Sequence, residues 1–135
     1  MELMDIIKAR HSIRKYTEKQ ISRDDLEKIL EAGNFAPNAG GGQRSMLVAV
    51  HNKELTTYNG FYDAPTVVCV FCQDNFLFKT ADAFCMMENM LLQATELGIA
   101  SCIILRGQET FASEEGRQLM KQWGVPEGYT CQGFV

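Results

Sequence analysis

No apolar run in the chain approaches the about 20 residues needed to cross a bilayer, which argues against a helical membrane span. The opening Met1-Glu2-Leu3-Met4-Asp5 lacks the basic start and apolar core of a secretory signal, so the chain reads as cytosolic. Basic charge is also short: 13 Lys and Arg stand against 17 Asp and Glu, giving a net charge of -4 and a pI near 5.2. A general nucleic-acid binder carries a basic stripe that neutralises many phosphates, and this balance argues against one. A disulfide framework is missing as well. Cys69, Cys72, Cys85, Cys102 and Cys131 form an odd count inside apolar segments, which fits reduced core thiols. Cys69-Val70-Phe71-Cys72 has CxxC spacing but lies in a strand-like run, where residues three apart point to opposite faces, so neither a metal nor a redox role is expected. Repeats, low-complexity blocks and linkers are absent, and 135 residues fit one domain around one core.

What is present is a succession of periodic segments. Leu3, Met4, Ile6 and Ile7 have helical spacing within Met1 to Ala9. Ser22 is a good N-cap, and Asp24 and Asp25 favour the dipole of a second helix whose apolar face is Leu26, Ile29, Leu30 and Phe35. That helix should stop by Pro37. Ser45 to His51 and Pro65 to Cys72 read as strands, with a polar stretch containing Tyr58-Asn59-Gly60 between them as loop. Phe76 to Gly98 is the longest helical candidate. Its apolar positions cover more than one stripe, which predicts burial on several sides and a dimer core. Ile99 to Leu105 reads as a third strand, Ser113 to Trp123 as a helix, and Tyr129 to Val135 as a last strand. An apolar strand that stops at the final residue reads as the end of an incomplete chain, or as a natural terminus within a sheet.

Two stretches have the chemistry of a binding site. Arg10-His11-Ser12-Ile13-Arg14 offers two guanidiniums with forked donors, an imidazole, a hydroxyl and backbone N–H groups, which suits a small anion such as a phosphate-bearing ligand. Taken alone, such a pentapeptide is more often a solvated loop or helix end than a binding site. Pro37-Asn38-Ala39-Gly40-Gly41-Gly42-Gln43-Arg44 places three glycines where a backbone can approach a planar ligand, or can simply link helix to strand; it matches neither the GxGxxG nor the Walker A pattern. His51 has no Ser, Asp or Cys motif beside it and is expected to sit at the surface or cap a turn.

The order of these pieces resembles the FMN-dependent nitroreductases, particularly their short members, over nearly the whole chain. The likeness runs from Arg10-His11-Ser12-Ile13-Arg14-Lys15-Tyr16 through Ala36-Pro37-Asn38-Ala39-Gly40 to Ala64-Pro65-Thr66-Val67-Val68. It continues through Glu88-Asn89-Met90-Leu91-Leu92, Leu97-Gly98-Ile99-Ala100-Ser101-Cys102 and Pro126-Glu127-Gly128-Tyr129. The resemblance implies an α+β fold, with a central, mostly antiparallel sheet flanked by helices, as a single FMN-binding domain over residues 1–135. It also implies an intertwined homodimer with FMN at the interface and no nucleic-acid or membrane partner. Arg10, Ser12 and Arg14 then match the residues that hold the FMN phosphate and ribityl chain, with His11 beside them. Pro37, Asn38, Ala39 and Gly41 match the loop that covers the flavin from the partner subunit, followed by Gln43. Ile103, Ile104 and Leu105 fall where the family presents groups to the isoalloxazine ring.

Gly41 replaces an asparagine common in that loop, Arg44-Ser45 replaces a Pro-Trp or similar pair, and the segment between the first two strands is short. The carboxyl-terminal region that in the family wraps the partner and adds a basic phosphate ligand is not in this sequence. The activity implied is hydride transfer from NADH or NADPH to FMN, followed by reduction of a nitroaromatic or quinone, with no indispensable side-chain acid or nucleophile. A flavin-binding protein of this fold with weak or regulatory function, and a dimeric interaction domain without flavin, are the competing readings.

Overall fold

The computed structural model describes residues 1–55 and 60–135; Tyr58 and Asn59 of the expected loop lie outside the described residues. Four helices are described, α1 (Leu3–Ala9), α2 (Arg23–Asn34), α3 (Lys79–Glu96) and α4 (Glu114–Gln122), with three strands, β1 (Ser45–His51), β2 (Thr66–Gln73) and β3 (Tyr129–Phe134). The strands form one antiparallel sheet in the order β1-β2-β3. Helices on a mixed background of antiparallel strands make this an α+β fold.

β2 organises the core. Val67 through Cys72 are all buried, as expected of a strand covered on both faces. Alternation along it separates two apolar clusters. Val68, Val70 and Cys72 pack with Ile29 of α2 and Met86, Met87 and Met90 of α3. Val67, Cys69 and Phe71 pack on the other side with Phe111, Val125 and Phe134. Cys69 and Cys72 therefore lie on opposite sides of the sheet. Burial pushes the thiol of Cys69 upward and that of Cys131 up to about 12. Cys85 departs from the expected core position: it is exposed on α3.

Local chemistry sets the helix ends. Ser22 Oγ accepts the N–H of Asp25 at 3.1 Å, and Ser113 Oγ accepts that of Gly116 at 3.0 Å. α2 ends at Asn34, three residues before Pro37. Asn89 Nδ2 donates to the carbonyl of Ala32 at 3.0 Å and ties α2 to α3. His51 is exposed and takes part in a capping box with Glu54 over the short turn Asn52–Glu54.

One expectation needs correction. Residues 99–105 do not form a strand; they make a single bridge, in which Ile104 and Phe134 exchange backbone hydrogen bonds of 2.9 and 2.8 Å. Ser101 turns its carbonyl to Ile13. In the single protomer, α3 turns Ala83, Met86, Met87, Met90 and Leu91 inward, while Phe84, Cys85 and Glu88 face out.

Candidate functional site

α1 ends at Ala9, and residues 10–17 run on as a non-helical strap. Ile13 fixes the middle of this strap. Its N–H donates to Ser101 O at 3.0 Å, and its carbonyl accepts the hydroxyl of Tyr16. Burial, then the neighbouring Cys102, pushes the Tyr16 hydroxyl up to about 12 and keeps it a donor. In extended backbone alternate residues share a side, so with Ile13 half-buried, Ser12 and Arg14 project outward together. Arg10 Nε lies 3.8 Å from Glu88 Oε1 on α3. Both groups are partly exposed, so the pair orients Arg10 more than it stabilises the fold. His11 is exposed, with Nδ1 donating to the carbonyl of Ala9 at 2.9 Å.

The Ile13–Ser101 bond also sets the strap beside residues 103–105. Ile103 packs against the α2/α3 cluster, Ile104 against the opposite one, and Leu105 is exposed. Gly133 of β3 lets this segment lie close to the sheet: a Cβ there would lie 3.1 Å from Leu105 Cδ2 and 3.4 Å from the Ile104 carbonyl. The Ile13–Ser101 bond thus ties the basic strap to the chain that runs on to the exposed Leu105.

The glycine loop lies elsewhere on the protomer. Pro37 is exposed, Asn38 is extended, and Ala39–Gly41 make a 3-10 turn. Gly40 and Gly41 have φ of 61° and 64°, which glycine adopts without strain, and nothing lies near where their Cβ atoms would be. Asn38 Oδ1 accepts the N–H of Gln43 at 2.8 Å and closes the loop. Its anchor is the N–H of Ala39, which donates to Asp82 Oδ1 at 3.0 Å at the start of α3. Asp82 and Glu88 are six residues apart, about 9 Å along α3 and about 120° around it. The loop and Arg10 therefore flank different sides of the helix.

A cavity of about 560 Å³ runs beneath the strap between Tyr16, Gln20, Ile29, Phe61 and Cys102. Of the sequence-derived site residues only Ile104 lines it. Arg10 to Arg14 and the glycine loop both lie outside that cavity, apart from each other on the protomer.

Asp82 and Arg44 were not among the candidate residues. Asp82 had a sequence signal, an acid on the Met86–Met90 side of an apolar helix, where burial demands a partner. Arg44 had none beyond its departure from the related pattern.

The model of the nitroreductase family matches residues 7–60 and 49–135. A relative from Archaeoglobus fulgidus, provisionally named an NADH dehydrogenase/NAD(P)H nitroreductase, is 31% identical over 148 residues, covering 99% of this chain and 83% of its own length. An FMN reductase [NAD(P)H] of Bacillus subtilis is 29% identical over 115 residues, covering 73% of this chain; the chain spans only 46% of that protein. Among solved structures, a nitroreductase with bound FMN from Bacteroides fragilis superposes with a TM-score of 0.91 at 33% identity, covering 99% of this chain and 86% of its own. The chain belongs to the nitroreductase family.

Proposed function

We propose that the protein binds FMN between two copies of itself and is an NAD(P)H-dependent oxidoreductase that reduces nitroaromatic or quinone-type acceptors. The observation that carries this reading is the Ile13–Ser101 bond, which joins the outward face of Ser12 and Arg14 to the apolar 103–105 segment. Such a surface suits a ligand with a phosphate at one end and a flat ring at the other. The FMN in the Bacteroides fragilis relative supports the same choice.

The residues present fit FMN. Arg10 and Arg14 supply charged donors and Ser12 a hydroxyl for the phosphate and ribityl oxygens. Ile103, Ile104 and Leu105 supply apolar contact, and the open glycines of the 37–43 loop let backbone approach the ring. Bound FMN supplies the redox chemistry, accepting hydride from NADH or NADPH and passing electrons to the acceptor. The chain's own residues bind, orient and shield it.

A second copy completes the site in this reading, because the glycine loop and the strap flank different sides of α3. Leu3, Met4 and Ile7 on α1 and Phe84 on α3 are large exposed apolar groups on two packed helices. A surface of that kind favours self-association, and a twofold dimer buries it on both partners. No helix among the described residues is long and apolar enough to cross a membrane.

The test is an absorption spectrum of the purified chain with added FMN, before and after NADH or NADPH, followed by a quinone or nitroaromatic. Flavin absorbance that is bleached by the nicotinamide and restored by the acceptor is expected. A colourless chain that takes up no FMN overturns the reading; bound FMN reduced by neither nicotinamide leaves a flavin-binding protein without this activity.

A further inference from the structure

Asp82 is a buried acid to which the functional reading gives no task. It is 4% exposed, and its Oδ1 accepts the N–H of Ala39 at 3.0 Å. Its Oδ2 is fully buried and, among the described residues, has no hydrogen-bond partner. An acid held this way is costly to the fold, so a purely structural account of it is incomplete.

The other side of Ala39 is held too. Arg44 Nη1 donates to the Ala39 carbonyl at 3.2 Å, and its guanidinium lies 4.4 Å above the ring of Phe76. Arg44 also covers Gly42, where a Cβ would fall 2.3 Å from Nη1. Ala39 is thus gripped at its N–H by an acid and at its carbonyl by a base, on either side of a loop that passes through positive φ at Gly40, Gly41 and Gln43. Backbone of that kind keeps one conformation only when its surroundings determine it.

We propose that Asp82 is a positioning residue for the cofactor: by holding Ala39 N–H it sets the 37–43 loop in its covering conformation before FMN arrives. This rests on the flavin reading above. Arg44 supports the same residue through the next peptide group. The loop then binds without first losing conformational freedom, and affinity for FMN depends on a side chain that acts only through Ala39.

The test compares the wild-type chain with Asp82→Ala and Asp82→Asn, measuring FMN affinity by quenching of flavin fluorescence and exchange of the Ala39 amide proton. Asparagine keeps an acceptor for Ala39 and removes the acid; alanine removes both. Asp82→Ala should weaken FMN binding by about tenfold or more and lose protection at Ala39, while Asp82→Asn stays within about threefold of wild type. Equal FMN binding by Asp82→Ala and wild type overturns the proposal, as does an Asp82→Asn variant that loses FMN while Ala39 stays protected. Should Asp82→Ala not fold, Ala39→Pro deletes the same bond from the other side; Asn38 already has the extended backbone required before proline, with φ of -142° and ψ of 152°. Undiminished FMN affinity in that variant also overturns the proposal. A wild-type chain that takes up no FMN overturns the flavin reading and this assignment together, whereas FMN uptake indifferent to Asp82 overturns the assignment alone.

Discussion

The N–H of Ile13 donates to the carbonyl of Ser101 at 3.0 Å, linking positions 88 residues apart in the chain. The bond fixes Ile13, the half-buried residue between Ser12 and Arg14. Its neighbours Ser12 and Arg14 are then presented outward as a pair, next to the segment that carries Ile103 to Leu105.

If this surface holds the phosphate end of FMN, replacing Arg10 or Arg14 with alanine weakens FMN binding by about 1.5–3 kcal/mol, the scale of a charged hydrogen bond. Titration of each variant with FMN checks it. Arg14 has no carboxylate partner among the ion pairs of the described residues, while Arg10 has Glu88 at 3.8 Å. Unchanged affinity in both variants would place the phosphate elsewhere.

Tyr16 gives a dependence on alkaline pH. Burial is the main cause of its rise from 10.0 to about 12, so the folded state prefers the neutral phenol. Its contribution to stability is fully present below pH 10 and is lost as pH rises toward about 12. Cys131, raised from 9.0 to about 12 by burial, acts with the same sign and opens the window at a lower pH. Urea denaturation at a series of pH values should show stability falling through this range, with a shallower slope in Tyr16→Phe. At neutral pH the same variant should cost about 0.5–1.5 kcal/mol, because the Ile13 carbonyl loses its donor. An identical slope in both proteins would show that Tyr16 is not the group concerned.

Much of this architecture was legible in the sequence. β1 has the expected bounds, because a run from Ser45 to His51 between a glycine loop and a polar stretch leaves little choice. The caps at Ser22 and Ser113 were legible for the same local reason, as was the separation of Cys69 from Cys72. Residues 99–105 misled because an apolar run reads the same whether its amides join a ladder or turn to another segment, and the acceptor of Ile13 is 88 positions away. Asp82 escaped because its partner is a backbone amide, which leaves no mark in a sequence. The outward side of α3 could be recognised as apolar, but what covers it is not a property of one chain.

That exposed side yields a prediction about assembly. Phe84 is 39% exposed on α3 and Ile7 is 44% exposed on α1. Phe84→Glu would place a charge in the proposed dimer contact, where desolvation is costly, while leaving the protomer's own core untouched. Sedimentation should show wild type as a dimer and the variant as a monomer, with FMN affinity lost alongside. A dimeric Phe84→Glu variant that retains FMN would move the contact to another surface.

Two helical glycines should respond to alanine to different extents. Each substitution gains about 1 kcal/mol of helix propensity if the added methyl is accommodated. At Gly33 in α2 the new Cβ would meet Leu47 Cδ1 and Met90 Cγ, both at 2.9 Å. These are side-chain atoms, but Met90 is fully buried, so the methyl is accommodated only by repacking Leu47 and Met90, and Gly33→Ala should lose up to about 1 kcal/mol net. At Gly116 in α4 the Cβ would lie 1.9 Å from the Thr110 carbonyl oxygen and 2.7 Å from Phe111 Cα. Those are backbone atoms, and moving them displaces Phe111, which packs edge-on against Phe71 at 5.2 Å and against Trp123 at 5.9 Å. Overpacking against a rigid neighbour outweighs the propensity gain, so Gly116→Ala should lose about 1–3 kcal/mol. Thermal melts can separate the two, because each kcal/mol shifts the Tm of a domain this size by about 3–5 °C. Equal melting of both variants would mean that α4 moves freely away from Thr110, and that the Phe71–Phe111–Trp123 aromatic cluster does not fix its position.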